Sequence, residues 1–140
     1  MKFTRKAKAE WKGSGKEGKG TLSTTSGVLD GTPYSFHTRF EDGKKGTNPE
    51  ELVGAAHAGC FAMQLSFLLG EAGFTPENLD TDATVTFADG AVTQITLYLK
   101  GTIPDIDAEQ FQQIAHKAKE ICPISKLLNT EIALKVSLVK

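Results

Sequence analysis

Two cysteines, Cys60 and Cys122, are the residues of this 140-residue chain best suited to covalent chemistry. A cysteine reacts as its thiolate, so its surroundings decide whether it acts as a nucleophile or only packs. Cys60 lies in an apolar, alanine-rich segment, a setting that by itself raises the pKa of a thiol. Cys122 precedes Pro123, a residue favoured at the first position of a helix, where backbone N–H groups stabilise an anion. The residues alone therefore favour Cys122 as the more readily ionised thiol, and Cys60 needs a nearby cation.

Arg39 is the candidate source of that positive charge, because arginine is scarce in this chain. Of the 16 basic residues, only Arg5 and Arg39 are arginines. After Pro33, aromatic residues alternate with polar ones, and Arg39 is among the polar set. This alternation predicts a third strand that directs Arg39 away from the aromatic face.

The segment Asn48–Glu51 predicts the start of a long helix. Asn48 suits the N-cap, Pro49 the first helical position, and Glu51 the acid of a capping box. Glu50 is then left without a local partner, whereas the two acids exchange roles if Thr47 is the cap instead.

The helix that begins here is predicted to end near residues 70–73. It carries apolar residues nearly all round, so we expect it to be central and buried. Gly54 and Gly59 lie in its interior, where each costs about 1 kcal/mol relative to alanine. The close approach of another helix or of a ligand would explain that cost.

The remaining patterns predict the order strand, strand, strand, helix, strand, strand, helix, helix, strand. Residues 7–11 alternate as in a half-buried strand, and Asp89-Gly90 is a strong hairpin signal. Asp107 is a predicted helix cap and Pro123 a predicted helix start. This order indicates an α+β fold built around one buried helix.

Length and composition exclude several classes of protein. The length and a hydrophobic content of 39% fit one domain spanning residues 1–140. The 16 basic and 17 acidic residues leave a net charge of −1, without the basic surplus of a nucleic-acid binder. No run approaches the ~20 apolar residues of a membrane-spanning helix, and no apolar segment follows the charged N-terminus as in a secretory leader. We therefore expect a cytoplasmic protein that binds neither nucleic acid nor membrane.

Two further patterns suggest ligands but lack the context that those ligands need. Residues 13–18 match a glycine-rich nucleotide fingerprint, yet strand-like residues follow where a helix would have to begin. The three histidines and two cysteines lack the closely spaced pairs of a zinc site. Neither a metal nor a cofactor is predicted.

Three segments of the chain resemble motifs of the OsmC/Ohr peroxidases. They are Gly46-Thr47-Asn48-Pro49-Glu50-Glu51-Leu52, Ala55-Ala56-His57-Ala58-Gly59-Cys60-Phe61 and Cys122-Pro123-Ile124-Ser125. The order of predicted elements is similar to that of this family along essentially the whole chain. Thr38-Arg39-Phe40 on the predicted third strand resembles the OsmC branch, whereas Gly59 departs from the alanine that is commoner there.

This resemblance implies a thiol-dependent peroxidase that reduces organic hydroperoxides, and hydrogen peroxide less efficiently, in defence against oxidative and osmotic stress. It implies that Cys60 is the peroxidatic thiolate, which becomes a sulfenic acid, and that Cys122 resolves it to a disulfide. Arg39 is then the activating cation and Glu50 the acid that orients it. The family fold implies antiparallel sheets around a long buried helix, an intertwined homodimer, a thiol reductant such as a dihydrolipoyl protein, and no cofactor.

Helix geometry adds a separate argument for two chains. Glu50 and Cys60 are ten residues apart, which is ~15 Å along a straight helix, with side-chain directions ~80° apart. Glu50 therefore cannot reach Cys60 on its own helix. A site that contains both residues has to be shared between two chains.

Two other functions are compatible with the residues. Cys60 and His57 lie three residues apart on one predicted helix face, a spacing that suits a cysteine hydrolase or acyl-transferase. Alternatively, the chain is a non-enzymatic, small-molecule-binding dimer whose cysteines only pack.

Overall fold

The computed structural model describes residues 1–139, which fall into two compact units. The first unit comprises Met1–Leu52, and the second begins at Val53. This division does not test the expectation of one domain over the whole chain, which stays a prediction.

The first unit contains a three-stranded antiparallel sheet. Its strands are β1 (Ala7–Lys12), β2 (Lys19–Thr24) and β3 (Thr32–Tyr34), paired in chain order. The glycine-rich loop at residues 13–18 leads into β2 rather than into a helix, as the sequence predicts. The expectation that the first strand is half-buried is wrong, because all six residues of β1 are exposed.

Aromatic rings from the two strands beside β2 lie close together over Gly20 of β2. It is in register with Trp11 on one side and Tyr34 on the other, and the two ring centroids are 5.4 Å apart. A Cβ atom at Gly20 would lie 2.4 Å from the Tyr34 ring, so no side chain fits there.

The segment predicted as the continuation of the third strand is instead a short helix, α1 (Phe36–Phe40). Ser35 is its N-cap. The Ser35 hydroxyl accepts a hydrogen bond from the Thr38 backbone N–H (3.1 Å), and the Thr38 hydroxyl accepts one from the Ser35 backbone N–H (2.8 Å). This reciprocal capping box stabilises a helical turn and overrides the aromatic alternation. Arg39 therefore lies on a helix and not on a strand.

The long helix α2 (Pro49–Glu71) begins in the first unit and continues into the second. A second three-stranded sheet follows, in the order β4 (Asn78–Ala88), β5 (Ala91–Thr102) and β6 (Glu131–Leu138). β4 and β5 are antiparallel, whereas β5 and β6 are parallel and are joined through α3 (Ala108–Ile121) and α4 (Pro123–Leu127). Apart from α1, this is the predicted order of elements.

The predicted turn and cap signals in the second unit are confirmed. Asp89 and Gly90 connect β4 to β5 with φ angles of 52° and 83°, as a tight hairpin turn requires. The Asp107 carboxylate accepts a hydrogen bond from the Gln110 backbone N–H (2.8 Å) and caps α3.

The core of the second unit consists of side chains from α2, β5 and α3. Its most buried members are Phe61, Leu65, Leu69, Ile95, Leu97, Phe111 and Ala115. By length and composition α2 could cross a membrane, since its mean hydropathy is 1.6. The sequence itself does not predict a membrane-spanning helix. Here part of its apolar surface contributes to this core.

The expectation that α2 is buried all round is wrong for the single chain. One face is buried, but Met63 and Phe67 on another face are 64% and 67% exposed. A Cβ atom at Gly54 would lie 3.4 Å from Val85 of β4, so the close neighbour there is a strand rather than a helix. A Cβ atom at Gly59 would meet nothing within 4 Å.

Candidate active site

Arg39 and Glu50 form a two-pronged ion pair within the first unit. Arg39 Nε donates to one carboxylate oxygen of Glu50 (2.8 Å), and a terminal guanidinium nitrogen donates to the other (2.9 Å). The two parallel hydrogen bonds fix the plane of the guanidinium. Hydrogen bonding to Glu50 raises the pKa of Arg39 above its usual value, so the group stays a cation.

The start of α2 places Glu50 opposite Arg39. The Asn48 side-chain oxygen accepts a hydrogen bond from the Glu51 backbone N–H (2.8 Å), which confirms Asn48 as the N-cap. Its side-chain nitrogen donates to the Thr38 carbonyl oxygen on α1 (3.3 Å). Asn48 therefore connects the two helices that carry Arg39 and Glu50.

Glu51 accepts a hydrogen bond near the N-cap as predicted, but from a different donor than a capping box requires. Its carboxylate accepts a hydrogen bond from the Thr47 hydroxyl (2.6 Å) rather than from the N-cap backbone. Thr47 is nearly fully buried, so this contact anchors the first turn of α2. Glu51 is thus occupied locally, and Glu50 is left for Arg39.

A small cavity of about 120 Å³ lies beside Arg39 in the first unit. Four aromatic residues line it together with Arg39 and Pro49 of α2; they are Trp11, Tyr34, Phe36 and Phe40. Arg39 also lies over the Phe40 ring, 5.2 Å from its centroid. The pair is therefore surrounded by apolar surface on one side.

Cys60 and Cys122 are in contact within the second unit. Both are free thiols, and their sulfur atoms are 3.1 Å apart. Cys60 lies in the fourth turn of α2, whereas Cys122 occupies the N-cap position of α4 and is fully buried. A disulfide needs sulfurs about 2.05 Å apart, so a shift of roughly one ångström would join them.

The surroundings of Cys60 do not favour its thiolate. Burial raises the pKa of the Cys60 thiol, and its hydrogen bond with Cys122 raises it further. A hydrogen bond from the Ile124 backbone N–H of α4 lowers it, but by less. These contacts agree with the expectation that Cys60 needs a cation from elsewhere. The expectation that Cys122 ionises more readily stays a prediction.

His57 and Ser125 form a second contact between α2 and α4. His57 Nε2 lies 2.8 Å from the Ser125 hydroxyl oxygen. The imidazole is fully buried, burial lowers its pKa, and its Nδ1 atom has no hydrogen-bond partner among the described residues.

The predicted site residues thus form two pairs, Arg39 with Glu50 in the first unit and Cys60 with Cys122 in the second. Sequence reasoning missed Ser125, although it lies three residues after Cys122, as His57 lies three before Cys60. Within residues 1–139, no three histidine, cysteine or acidic side chains converge on a point that could hold a metal ion. Two thiols in contact are the arrangement for making and breaking a disulfide.

Comparisons with known proteins identify one family model and several named relatives that the chain resembles. Residues 41–137 match the family model described as OsmC-like protein. The chain is 54% identical to Peroxiredoxin OsmC of Escherichia coli (strain K12) over 99% of each chain. It is 29% identical to Organic hydroperoxide resistance protein OhrB of Bacillus subtilis (strain 168), over 85% of this chain and 88% of that one.

Solved structures show the same fold. The crystal structure of OhrB of Bacillus subtilis matches with a TM-score of 0.71 at 28% identity and covers 98% of each chain. An OsmC-like protein from Mycoplasma pneumoniae matches with a TM-score of 0.78 over 100% of both chains. Its identity of 15% makes it evidence for the fold alone.

Proposed function

The chain belongs to the OsmC-like family and is a thiol-dependent peroxidase, and from this premise we propose that it reduces organic hydroperoxides to alcohols. Cys60 is the attacking thiolate and Cys122 the resolving thiol. The observation that carries this proposal is the 3.1 Å contact between the two sulfur atoms. It supports a cycle in which one cysteine is oxidised and the other is already in place to resolve it.

The proposed cycle has three steps. The Cys60 thiolate attacks the O–O bond of ROOH, takes one oxygen to become the sulfenic acid Cys60–SOH, and releases ROH once the leaving oxygen is protonated. The Cys122 thiolate then attacks the Cys60 sulfur, forms the Cys60–Cys122 disulfide and displaces hydroxide, which takes up a proton to become water. A dithiol reductant, such as a dihydrolipoyl protein, restores both thiols and is itself oxidised to a disulfide.

Arg39 supplies the positive charge that Cys60 lacks locally. A guanidinium beside the thiolate lowers its pKa and donates hydrogen bonds to the peroxide oxygens. Glu50 orients that guanidinium through the two hydrogen bonds of 2.8 and 2.9 Å. The raised pKa of Cys60 supports the need for this cation.

The complete site is shared between the two chains of a homodimer. Glu50 and Cys60 lie on the same uninterrupted helix, α2, and are therefore ~15 Å apart along its axis. The pair of Arg39 and Glu50 from one chain would accordingly serve Cys60 of the other. The exposed face of α2 around Met63 and Phe67 is an apolar surface that a second chain can cover.

Organic hydroperoxides are favoured over hydrogen peroxide because the neighbouring surfaces are apolar. The cavity beside Arg39 is lined mainly by aromatic residues. Burial of each CH₂ group contributes about 0.8 kcal/mol, so a four-carbon tail can raise catalytic efficiency by a factor of ten or more. We place this activity in the cytoplasm, in defence against oxidative and osmotic stress.

No observation favours the two alternative functions. A Cys60–His57 hydrolase or acyl-transferase needs the imidazole to hydrogen-bond the thiol. Instead, Nε2 of His57 contacts Ser125, and Nδ1 has no hydrogen-bond partner among residues 1–139. Membership in a peroxidase family argues against a protein that only binds small molecules.

Hydroperoxide consumption by the purified protein with a dithiol reductant tests the proposed roles. Cys60→Ser should abolish turnover, whereas Cys122→Ser should still be oxidised once and keep a sulfenic acid that a dimedone probe can trap. The wild type should prefer cumene hydroperoxide to H₂O₂ by at least about tenfold in kcat/KM. Normal turnover of Cys60→Ser would contradict the assignment of the nucleophile, and equal efficiencies would contradict the proposed substrate class.

A further inference from the structure

The hydrogen bond between the buried His57 and the half-buried Ser125 has no role in the cycle described above. It joins α2 to α4, with His57 Nε2 2.8 Å from the Ser125 hydroxyl oxygen. His57 is the one histidine of the chain that is fully buried. A buried polar side chain of this kind needs a reason to be present.

Both partners lie one helical turn from a cysteine. His57 precedes Cys60 by three residues on α2, and Ser125 follows Cys122 by three residues at α4. Residues three apart on a helix lie on neighbouring positions of one face. The same two elements are therefore linked twice, by the pair of sulfur atoms and by the histidine–serine hydrogen bond.

Besides these contacts, the helix α4 is attached through Ile124, which packs against the core. It is only five residues long, and none of them is fully buried. Two side-chain contacts link it to α2, and the histidine–serine contact is the one that does not involve the sulfur atoms. Loss of this hydrogen bond would loosen α4 next to Cys122, whose own backbone N–H stays bonded to the Ala118 carbonyl oxygen of α3.

The buried imidazole also carries an uncompensated cost. A neutral imidazole has one donor nitrogen and one acceptor nitrogen, and Nδ1 of His57 has no partner among the described residues. An apolar residue would fill the same volume without leaving a polar atom unpaired. The useful property of His57 at this position is therefore the hydrogen bond that Nε2 makes.

We propose that His57 and Ser125 are positioning residues that hold Cys122 within reach of Cys60, so that the sulfenic acid is resolved before it is oxidised further. This inference rests on the proposed peroxidase cycle. It concerns the competition between two fates of Cys60–SOH. In one, Cys122 displaces water from the Cys60 sulfur and forms the disulfide. In the other, a second hydroperoxide transfers an oxygen and yields Cys60–SO₂H and ROH, an end state that thiols do not reverse.

The competition can be measured because only the second fate depends on hydroperoxide concentration. Ser125→Ala removes the hydroxyl, Ser125→Thr retains one, and Ser137→Ala on β6 is the matched serine control. We expect Ser125→Ala to form the sulfinic acid, detected by intact mass, at about tenfold lower hydroperoxide concentration than the control, as loss of a buried hydrogen bond predicts. The rate of the first oxidation is measured in every variant and the hydroperoxide threshold for the sulfinic acid is compared at equal rates of that step, because Cys122 and Ile124 also shift the pKa of Cys60.

His57→Phe breaks the same hydrogen bond from the other side while it keeps a ring in the core. It should lower the hydroperoxide concentration at which the sulfinic acid forms (the threshold) as much as Ser125→Ala does. The double variant should lower this threshold no further. Ser125→Thr, which retains a hydroxyl, should have the same threshold as the wild type. Additive shifts, or a threshold in Ser125→Ala equal to that of Ser137→Ala, would overturn the inference even if the melting temperature falls.

The thiol–disulfide equilibrium with glutathione separates this inference from the proposed function. It needs no hydroperoxide, and loss of positioning should lower the equilibrium constant of the Cys60–Cys122 disulfide in Ser125→Ala by about tenfold, or ~30 mV. An unchanged constant would overturn the positioning role. If the wild type consumes no hydroperoxide but Ser125→Ala still lowers the equilibrium constant of the disulfide as expected, only the peroxidase proposal is overturned.

Discussion

At Cys60 the local surroundings and the required chemistry oppose each other. Burial and the neighbouring Cys122 raise the pKa of the Cys60 thiol, and one backbone N–H from Ile124 opposes them only in part. A peroxidatic cysteine reacts as its thiolate. The reactivity of this residue therefore depends on a charge that its own helix does not supply, and Arg39 is the proposed source.

Replacement of Arg39 by lysine tests that dependence. Lysine keeps the positive charge but cannot make the two parallel hydrogen bonds that Arg39 makes with Glu50. We expect Arg39→Lys to lower kcat/KM by at least about tenfold and to move the pH profile of Cys60 oxidation to higher pH. Thiol titration and the pH dependence of the first oxidation measure this, with Arg5→Lys as the control. A profile identical to that of the wild type would remove Arg39 from the mechanism.

The buried His57 predicts a pH dependence of stability. Burial lowers its pKa in the folded protein, whereas in the unfolded chain it titrates near its ordinary value of about 6.5. Below that pH the unfolded state binds a proton that the folded state does not, so the free energy of unfolding decreases as pH falls. The slope is at most about 1.4 kcal/mol per pH unit until the lower folded pKa is reached.

Denaturant unfolding measured from about pH 7.5 to about pH 5.5 checks this expectation. The range extends about one unit either side of the ordinary histidine pKa of about 6.5. The decrease in stability should be smaller in His57→Phe than in the wild type. His116→Phe is the control, because His116 is exposed on α3. Equal slopes in the two variants would show that His57 is not the group responsible.

At the scale of elements, one short helix decides where Arg39 lies. The alternation of aromatic and polar residues before the long helix predicts a strand, but Ser35 and Thr38 cap each other and form a helical turn. Asn48 then ties that turn to the start of α2 through the Thr38 carbonyl oxygen. Local capping bonds thereby position a residue whose partner, Glu50, is eleven positions along the chain.

The caps of α2 and α3 offer a matched comparison. Asn48→Ala and Asp107→Ala each remove a side chain that accepts one backbone N–H, and each should lower the free energy of unfolding by about 1 kcal/mol. Only Asn48 also contacts the helix that carries Arg39. We expect Asn48→Ala to lower peroxidase activity severalfold and Asp107→Ala to leave it unchanged. Equal activities in two equally destabilised variants would contradict the positioning of Arg39 by Asn48.

At the scale of the whole molecule, the exposed apolar face of α2 is the feature that a single chain does not explain. Phe67 and Met63 are more than half exposed on a helix whose other face is in the core. In the proposed homodimer a second chain covers this face. Phe67→Glu should therefore convert the dimer to a monomer in sedimentation experiments and lose most peroxidase activity.

Val28→Glu is the control for that variant, because Val28 is also an exposed apolar residue, at 83%, but lies in a loop. It should keep both the wild-type assembly and the wild-type activity. A wild type that sediments as a monomer at enzymatic concentrations would contradict the shared site.

Mixed dimers test whether the two pairs come from different chains. Cys60→Ser lacks the nucleophile and Arg39→Ala lacks the activating cation, so each homodimer should be inactive. If the site is shared, each heterodimer contains one site without either defect. When the two variants are refolded together in equal amounts, about half of the dimers should be heterodimers, each with one of its two sites intact. The mixture should therefore recover about a quarter of wild-type activity. Heterodimers without activity would mean that each site lies within one chain.

The sequence by itself determined the class of protein and most of its elements. The resemblance to the OsmC/Ohr peroxidases and the α+β fold are confirmed. The caps at Asn48 and Asp107 and the hairpin at Asp89-Gly90 were predictable because such signals act within a few residues. The pairing of Cys60 with Cys122 was implied by the resemblance, since a separation of 62 positions leaves no local signal.

Only the tertiary structure decided which polar groups meet. It showed that Arg39 lies on a helix, that α2 has an exposed face, and that His57 is held by Ser125. These facts depend on packing between elements distant in sequence, whose side chains choose partners only when the backbone has brought them together. Periodicity predicts which face of an element is apolar, but it does not specify the surface that covers that face.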